Sequence, residues 1–293
     1  ATTTATTTAA TAPAATPHAG YSFTVGAPPL TESLYAYSLK QTVAWTSAGD
    51  QLTYTSTLIW KFTLMVAEAT PERAVLDATI LRVLATHDGP GSHRQVDSGA
   101  IDGQDGSDDP LLGHLLALNG AVLSVVVAPS TGVVSEVRGG DAIIAKINKR
   151  APALTPGDTP PLEAAARAAF SSEALTRIWN QLLLLPSTAP TRVPLGPPLN
   201  GEVERTWQAN SAYTLRLPAG TDHLNATLVG DPTPVSAVLS DLTGSGSTSI
   251  TTKGMPGAGK GELAFSLAFQ ALTQPVVQKH TLTWELTPLT PRR

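Results

Sequence analysis

The first motif that could perform chemistry spans residues 254–260, GMPGAGK, and satisfies the pattern G-x-x-x-x-G-K. In nucleotide hydrolases such a loop cradles phosphates with its backbone N–H groups and its lysine. Here Gly261 stands where the Mg²⁺-binding Ser or Thr belongs, and residues 262–270 alternate like a strand. No buried apolar strand precedes the motif. We therefore interpret it as the Gly-rich loop of a β-hairpin.

A second candidate is acidic. The polar stretch over residues 87–110 contains these aspartates interleaved with glycine: Asp97, Asp102, Asp105, Asp108 and Asp109. Carboxylate oxygens suit a hard cation, so Asp102, Asp105 and Asp108 form a candidate Ca²⁺ site. The spacing departs from the twelve-residue helical calcium loop, and no Glu stands at its closing position. The alternative is a solvated loop whose aspartates stabilise turns and caps.

Two histidines, His87 and His93, lie near Asp88 and Asp97 in the sequence. Imidazole and carboxylate groups together could bind zinc or act as an acid–base pair, although no H-E-x-x-H spacing supports this. Polar loop residues are the alternative. No G-x-S-x-G elbow occurs, so a Ser hydrolase has no signature here. We expect a protein without enzymatic activity, without catalytic residues and without a cofactor other than the candidate Ca²⁺.

Composition excludes several classes of function. The net charge of −4 and the scattered Lys and Arg residues provide no basic surface, so we expect no binding to nucleic acid. Charged residues make up 14% of the chain, which predicts a weakly charged surface. The chain has no cysteine, which excludes disulfides, thiolate metal sites and a lipid-modified cysteine in the sequence given.

The N-terminal residues 1–20 form an extended arm rich in Ala, Thr and Pro. The small residue at the start is typical of a chain whose signal peptide has been removed, so we expect an exported protein of the periplasm or cell surface. An engineered truncation is the alternative. No apolar run reaches the roughly 18–20 residues of a membrane-spanning helix, which leaves peripheral membrane association open.

These residues must be positioned by a mainly β fold with a helical middle. We expect an N-terminal β half with short helices over residues 21–150, a Pro-rich connector and helix over 151–200, and a C-terminal antiparallel β half over 201–293. The halves form either two antiparallel sheets or an open (half) barrel packed on one or two helices. Five tryptophans predict core packing, with an apolar or glycan cleft as the alternative: Trp45, Trp60, Trp179, Trp207 and Trp284.

Local signals place several elements. Turns are predicted at residues 47–50 and 129–132, and the second turn joins the clearest hairpin in the chain. Asp141 caps a predicted helix. A second helix, with its apolar positions over residues 166–182, restarts at a Ser171 cap and ends before an extended connector.

The order of segments resembles an uncharacterised family of exported bacterial envelope proteins, many of them lipoproteins, known only as a domain of unknown function. The resemblance covers about the first two thirds of the chain and is carried by these segments: Tyr37-Ser38-Leu39, Val96-Asp97-Ser98, residues 116–120, residues 133–139, Phe170-Ser171, Trp179 and Leu185-Pro186. It implies an envelope location and a β-rich architecture, and it brings no activity or catalytic residue. The N-terminal cysteine of the family's lipoproteins has no counterpart here.

Three candidate functions follow, in decreasing order of support. The first is a non-enzymatic structural or accessory subunit of an envelope- or membrane-associated assembly, with other envelope proteins or copies of itself as partners. The alternative is a periplasmic carrier of a lipid or another apolar ligand, which an open barrel would hold. A hydrolase is the third candidate, and it would need a catalytic site that the sequence does not display.

Overall fold

The computed structural model describes residues 33–290, with gaps at residues 102–103, 110, 155–165, 184, 188, 197–198, 200, 209–210, 221–222, 229–230, 252–254 and 272–273. The predicted arm therefore lies outside the described residues. The described strands are β1 Ser33–Ser47, β2 Asp50–Ala69, β3 Ala74–Gly89, β4 Ser92–Asp97, β5 Val122–Ala128, β6 Val133–Arg138, β7 Thr191–Leu195, β8 Gly201–Trp207, β9 Ala212–Arg216, β10 His223–Leu228, β11 Asp231–Ile250, β12 Pro256–Ala271 and β13 Gln274–Leu289. The helices are a 3-10 helix, Gly113–Leu118, and two α-helices, α1 Gly140–Leu154 and α2 Ser172–Leu183.

All of these strands belong to one antiparallel sheet with the order β6-β5-β3-β2-β1-β13-β12-β11-β9-β8-β7, while β4 pairs with β3 and β10 with β11. The first and last strands of the chain pair along almost their whole length, from Leu34 opposite Leu289 to Ser47 opposite Val276. The sheet is thus continuous between the two predicted halves. It curls into a nearly closed barrel, which confirms the mainly β prediction and the open-barrel alternative.

One face of the sheet points into the main core. In β13 every second residue from Val276 to Leu286 is buried, and the residues between them are exposed. This period of two is the signature of a sheet with one buried and one solvated face. Most buried apolar residues of the long strands belong to one hydrophobic cluster, so the inner face of the barrel forms the main core, while Ala85 of β3 packs in a small second cluster with Val96, Leu112 and Leu116.

A β-bulge explains why the third strand did not alternate cleanly in the sequence. Buried residues of β3 are even-numbered up to Ile80 and odd-numbered from Val83 onward. The register with β2 shifts between Lys61 and Phe62, which leaves Leu81 as the extra residue on the bulged strand. An extra residue reverses which side chains face inward, so the inner face stays apolar on both sides of the bulge.

Helix α2 lies in the seam between the edge strands β6 and β7 and contacts both. Ser171 caps its start, because the Ser171 Oγ accepts a hydrogen bond from the Ala174 N–H at 3.2 Å. Trp179 is fully buried and packs edge-on against Phe62 at 5.5 Å between ring centroids. Asn180 serves the edge of β6 as a neighbouring strand would: it accepts from the Val134 N–H and donates to the Val134 carbonyl, both at 2.9 Å.

Several local predictions agree with the structure, and two need correction. Strand β6 and the turns at residues 47–50 and 129–132 are confirmed. One of the short helices predicted within residues 21–150 is a 3-10 helix, Gly113–Leu118. The predicted connector contains β7, an edge strand that tolerates Pro194 because an edge residue needs no second hydrogen-bonding neighbour. None of the helices in the described part of the chain combines the length and the apolar character needed to cross a membrane.

Candidate functional site

The G-x-x-x-x-G-K motif lies at the β11–β12 hairpin, as predicted, with most of its residues at the start of strand β12. Gly254 lies outside the described residues. Lys260 is exposed and sits between Ser247 of β11 and Glu285 of β13 in the ladder. Residues of a paired strand cannot wrap phosphates with their N–H groups, because those groups bind neighbouring strands.

Two glycines beside this motif make room for aromatic rings inside the barrel. A Cβ atom at Gly261, which follows the motif, would meet the Tyr213 hydroxyl and the Trp284 indole, and a Cβ at Gly246 on the neighbouring strand would meet the same hydroxyl. Gly261 stands between Gly246 and the buried Trp284 in the ladder, so rigid rings fill the space that side chains would otherwise take. Gly246 and Gly261 therefore have a packing role in this fold.

The acidic stretch folds against the sheet through arginines of β3 and β4. Arg82 donates to both carboxylate oxygens of Asp97, at 2.9 and 2.6 Å, and hydrogen bonds from this guanidinium hold the pKa of Asp97 below its usual range. Asp109 accepts from the Leu111 and Leu112 N–H groups and from Arg94. Burial raises the pKa of Asp109, but these hydrogen bonds outweigh it and hold the pKa below its ordinary value. These two aspartates thus fix the loop.

The structure describes two of the three candidate Ca²⁺ ligands. Asp105 accepts from the Ser107 N–H at 3.1 Å, and Asp108 is exposed. Asp102 lies outside the described residues. Within the described residues, no group of three His, Cys, Asp or Glu side chains is placed to hold a metal ion. The Ca²⁺ site stays a prediction.

The candidate histidine site is divided by the sheet. His93 lies 2.6 Å from Asp88, on exposed side chains, whereas the neighbouring His87 points to the other face. There, the Ser56 Oγ lies 2.9 Å from the His87 Nδ1, and the Tyr54 ring stacks on the imidazole at 5.9 Å. Among the described residues no carboxylate contacts this pair, so nothing orients the imidazole as a general base. The lack of enzymatic activity stays a prediction.

The inner face of the barrel is covered at one end and partly exposed at the other. Along β1 and β2, Tyr35, Tyr37, Trp60, Phe62 and Leu64 are at most 1% exposed. Toward the β1–β2 turn the same face continues with side chains that are only partly buried. We call these the open strip: Leu39, Val43, Trp45, Leu52, Tyr54 and Leu58. Most side chains on this part of the face are apolar or aromatic where burial no longer explains that composition, although Gln41 and Ser56 lie on the same face, opposite each other in the β1–β2 ladder.

A buried histidine borders the open strip. His280 stands opposite Val43 in the β1–β13 ladder, stacks on Phe265 at 4.7 Å and is 4% exposed. Its Nε2 lies 3.0 Å from the Gln278 Oε1, and its Nδ1 lies 3.5 Å from the Gln41 Nε2. Burial lowers the pKa of His280 to about 4. The imidazole is therefore neutral at physiological pH.

This burial predicts a stability that depends on His280 between pH 4 and 6.5. In that range the unfolded chain binds a proton at His280 and the folded chain does not, so stability rises with pH, by up to about 3 kcal/mol. Urea denaturation at pH 4.5 and 7 should show a smaller difference for His280→Gln than for the wild type. His93→Gln, on an exposed side chain, is the control. Equal differences for the wild type and His280→Gln would contradict the prediction.

An arginine at the covered end is the feature that sequence reasoning missed. Arg205 of β8 is 1% exposed, and its NH2 donates to the Gly132 carbonyl at 3.3 Å across the seam. Its guanidinium lies 5.3 Å from the Trp207 ring centroid, and burial lowers its pKa to about 10. In the described part of the chain no carboxylate contacts it. The available signal was its spacing: Val203, Arg205 and Trp207 share the inward face of one strand.

Aromatic side chains surround this arginine. Tyr213 packs against Trp207 at 5.1 Å between ring centroids and lies beside Trp284. Burial raises the pKa of Tyr213 and that of Tyr37, the second also through neighbouring Tyr213. We call Arg205, Tyr37, Tyr213, Trp207 and Trp284 the arginine cluster. Four of the five tryptophans are buried, as predicted for core packing, while Trp45 belongs to the open strip.

Comparisons with known proteins assign no family. No protein-family model and no curated protein matches the chain. A lipovitellin structure concerned with lipid–protein interactions matches 88% of this chain over 25% of its own, with 10% identity and a TM-score of 0.38. An AttH protein from Nitrosomonas europaea matches 87% over 52%, with 12% identity and a TM-score of 0.20. DynF, from the dynemicin biosynthesis pathway of Micromonospora chersina, matches 93% over 91%, with 8% identity and a TM-score of 0.22.

The chain thus spans about a quarter of the lipovitellin chain and half of the AttH chain. At these TM-scores the matches carry no argument about function. The resemblance of the sequence to an exported family stays a prediction.

Proposed function

We propose that this protein binds an elongated apolar or amphiphilic ligand, such as a lipid, whose chain lies along the open strip. One observation carries the proposal: on the same face of β1 and β2, burial decreases toward the turn while the side chains, apart from Gln41 and Ser56, remain apolar and aromatic. A concave apolar surface at the mouth of a barrel is a common setting for small-molecule binding.

The dimensions of the open strip suit an extended chain. Leu39 and Trp45 are six residues apart on one strand, which corresponds to about 20 Å. Trp45 contacts the buried Phe269 edge-on at 6.4 Å, so the open strip continues directly into the core. A ligand lying there would remove the partly exposed side chains from water, at about 25 cal/mol for each Å² of apolar surface buried.

The prediction of an accessory subunit rests on the low surface charge, the Pro-rich connector and the arm over residues 1–20, and the arm lies outside the described residues. Export and a periplasmic or cell-surface location likewise stay predictions. Ligand binding and membership of an envelope assembly are compatible. The ligand-binding proposal can be tested by substitutions, because the open strip lies within the described residues.

The first test of the proposed function is chain length. We expect uncharged alcohols from octanol to dodecanol to bind with affinity that rises about tenfold for every two methylene groups, because each buried CH₂ contributes about 0.8 kcal/mol. Displacement of N-phenyl-1-naphthylamine fluorescence measures this affinity. A flat series, or no displacement by dodecanol, would reject the proposed function.

A pair of variants locates the binding surface. Leu52 of the open strip is 40% exposed and Leu81, at the β3 bulge on the outer face, is 49% exposed. Leu52→Gln should weaken dodecanol binding about tenfold, since it places an amide against the alkyl chain. Leu81→Gln makes the same exchange at similar exposure on the other face and should leave binding unchanged. Equal effects of the two exchanges would move the site away from the open strip.

A further inference from the structure

The charge of Arg205 is buried without a counterion among the described residues. Its contacts are neutral: the Gly132 carbonyl at 3.3 Å and the face of the Trp207 ring at 5.3 Å. The Nε of the same guanidinium has no hydrogen-bond partner. Burying an ion in this way is costly unless an opposite charge compensates it. The position is therefore unfavourable for stability alone, which makes it a candidate for binding.

The surroundings of Arg205 supply more hydrogen-bond donors than acceptors. In the part of the chain that the structure describes, two members of the arginine cluster, the Tyr37 hydroxyl and the Trp207 indole N–H, are buried without partners. Both groups can donate a hydrogen bond, and the indole can only donate. An excess of buried donors beside a cation favours a group that accepts several hydrogen bonds and carries negative charge.

The arginine cluster is continuous with the open strip. Leu39 stands opposite Trp284 in the β1–β13 ladder. Trp284 lies beside Tyr213, and Tyr213 packs on Trp207 below the guanidinium. A chain lying along the open strip therefore ends against the side chains that lead to Arg205.

We propose that Arg205, with the Tyr37 hydroxyl, binds the anionic group of an amphiphile, a carboxylate or a phosphate, whose chain lies on the open strip; this inference rests on the proposed function. The planar guanidinium matches both groups through paired N–H donors. An amphiphile fits better than a free ion, because Arg205 is buried and packs against aromatic side chains. The protein thus selects acidic lipids over neutral ones.

Ligands matched in length test this inference on the wild-type protein. Dodecanoate and dodecyl phosphate should each bind roughly 10- to 100-fold more tightly than dodecanol, as expected for hydrogen bonds to a charged group. Butyrate and inorganic phosphate, which lack the chain, should bind weakly. Isothermal titration calorimetry below the micellar range measures all five.

The outcomes separate the two proposals. Equal affinity for dodecanol and dodecanoate overturns the role of Arg205 and leaves the proposed function standing. Failure of every dodecyl ligand overturns both. If butyrate or inorganic phosphate binds tightly without an alkyl chain, the site binds free anions, and the proposal that its ligand is an amphiphile is overturned.

Variants then identify the arginine. Arg205→Met should remove most of the preference for dodecanoate over dodecanol. Arg216→Met, an exposed arginine on the neighbouring strand β9, is the matched control and should retain the preference for the carboxylate. If Arg205→Met does not fold, Arg205→Lys, which keeps the charge and loses the paired donors, should reduce the preference. An unchanged preference in the folded variant contradicts the inference.

Discussion

Replacing Trp179 by Ala should lower the free energy of unfolding by about 3–5 kcal/mol, the usual cost of truncating a fully buried Trp. Trp179 is the largest of the α2 side chains that are buried in the core, and it packs edge-on against Phe62 of β2. The truncation removes this aromatic contact between the helix and the inner face of the barrel. Urea denaturation followed by far-UV circular dichroism measures the change.

Trp45→Ala is the control for this exchange. Trp45 makes the same kind of edge contact, with Phe269, but it is only partly buried. Its truncation should cost about 1–2 kcal/mol, because less apolar surface returns to water. It should also weaken dodecanol binding, because Trp45 belongs to the open strip and Trp179 does not. If both variants lose the same stability, α2 does not anchor the core as the structure indicates.

Asn180→Ala should lower the free energy of unfolding by about 2–4 kcal/mol, because two backbone groups of the β6 edge lose their partner inside the protein. The Asn180 amide accepts from the Val134 N–H and donates to the Val134 carbonyl, each at 2.9 Å, and also donates to the Thr176 carbonyl at 3.0 Å. Unpaired buried backbone groups are among the costlier defects of a fold. The same urea titration measures the loss.

Thr176→Ala is the matched control on the same helix. The Thr176 hydroxyl is exposed and donates to the Ser172 carbonyl one turn earlier, so its removal should change stability by less than about 0.5 kcal/mol. Asn180→Asp tests the assigned donor and acceptor roles, since a carboxylate still accepts a hydrogen bond from the Val134 N–H but cannot donate one to the Val134 carbonyl. Full stability in Asn180→Asp would contradict the assigned hydrogen bonds.

Elements defined by local signals were predictable from the sequence. The hairpin of β5 and β6 could be located because the turn at residues 129–132 joins its strands, and Gly139 marks the end of β6. The Ser171 cap and the hairpin around residues 254–260 were also visible, since caps and turns depend on neighbouring residues. A mainly β open barrel follows from many such elements taken together.

Non-local features could not be predicted in this way. Nothing in the pattern of β1 specifies β13, more than two hundred residues away, as its partner. The bulge at Leu81 reverses the inward face of β3, so a search for simple alternation fails there. Asp97 and Asp109 suggested a cation, whereas the cations that they meet are Arg82 and Arg94 of neighbouring strands. For Arg205, the sequence showed only a charged residue on the face of β8 that otherwise carries the apolar Val203 and Trp207.

The position of α2 in the seam has a consequence for handling the protein. Edge strands with open N–H and C=O groups act as templates for aggregation. Side chains of α2 form hydrogen bonds with such groups on β6: Asn180 with the N–H and carbonyl of Val134, and Ser172 with the Val137 carbonyl. The helix also contacts β7. A variant that detaches α2 while the sheet persists would therefore present two bare edges. Such variants should form intermolecular β-structure at high concentration well before they unfold.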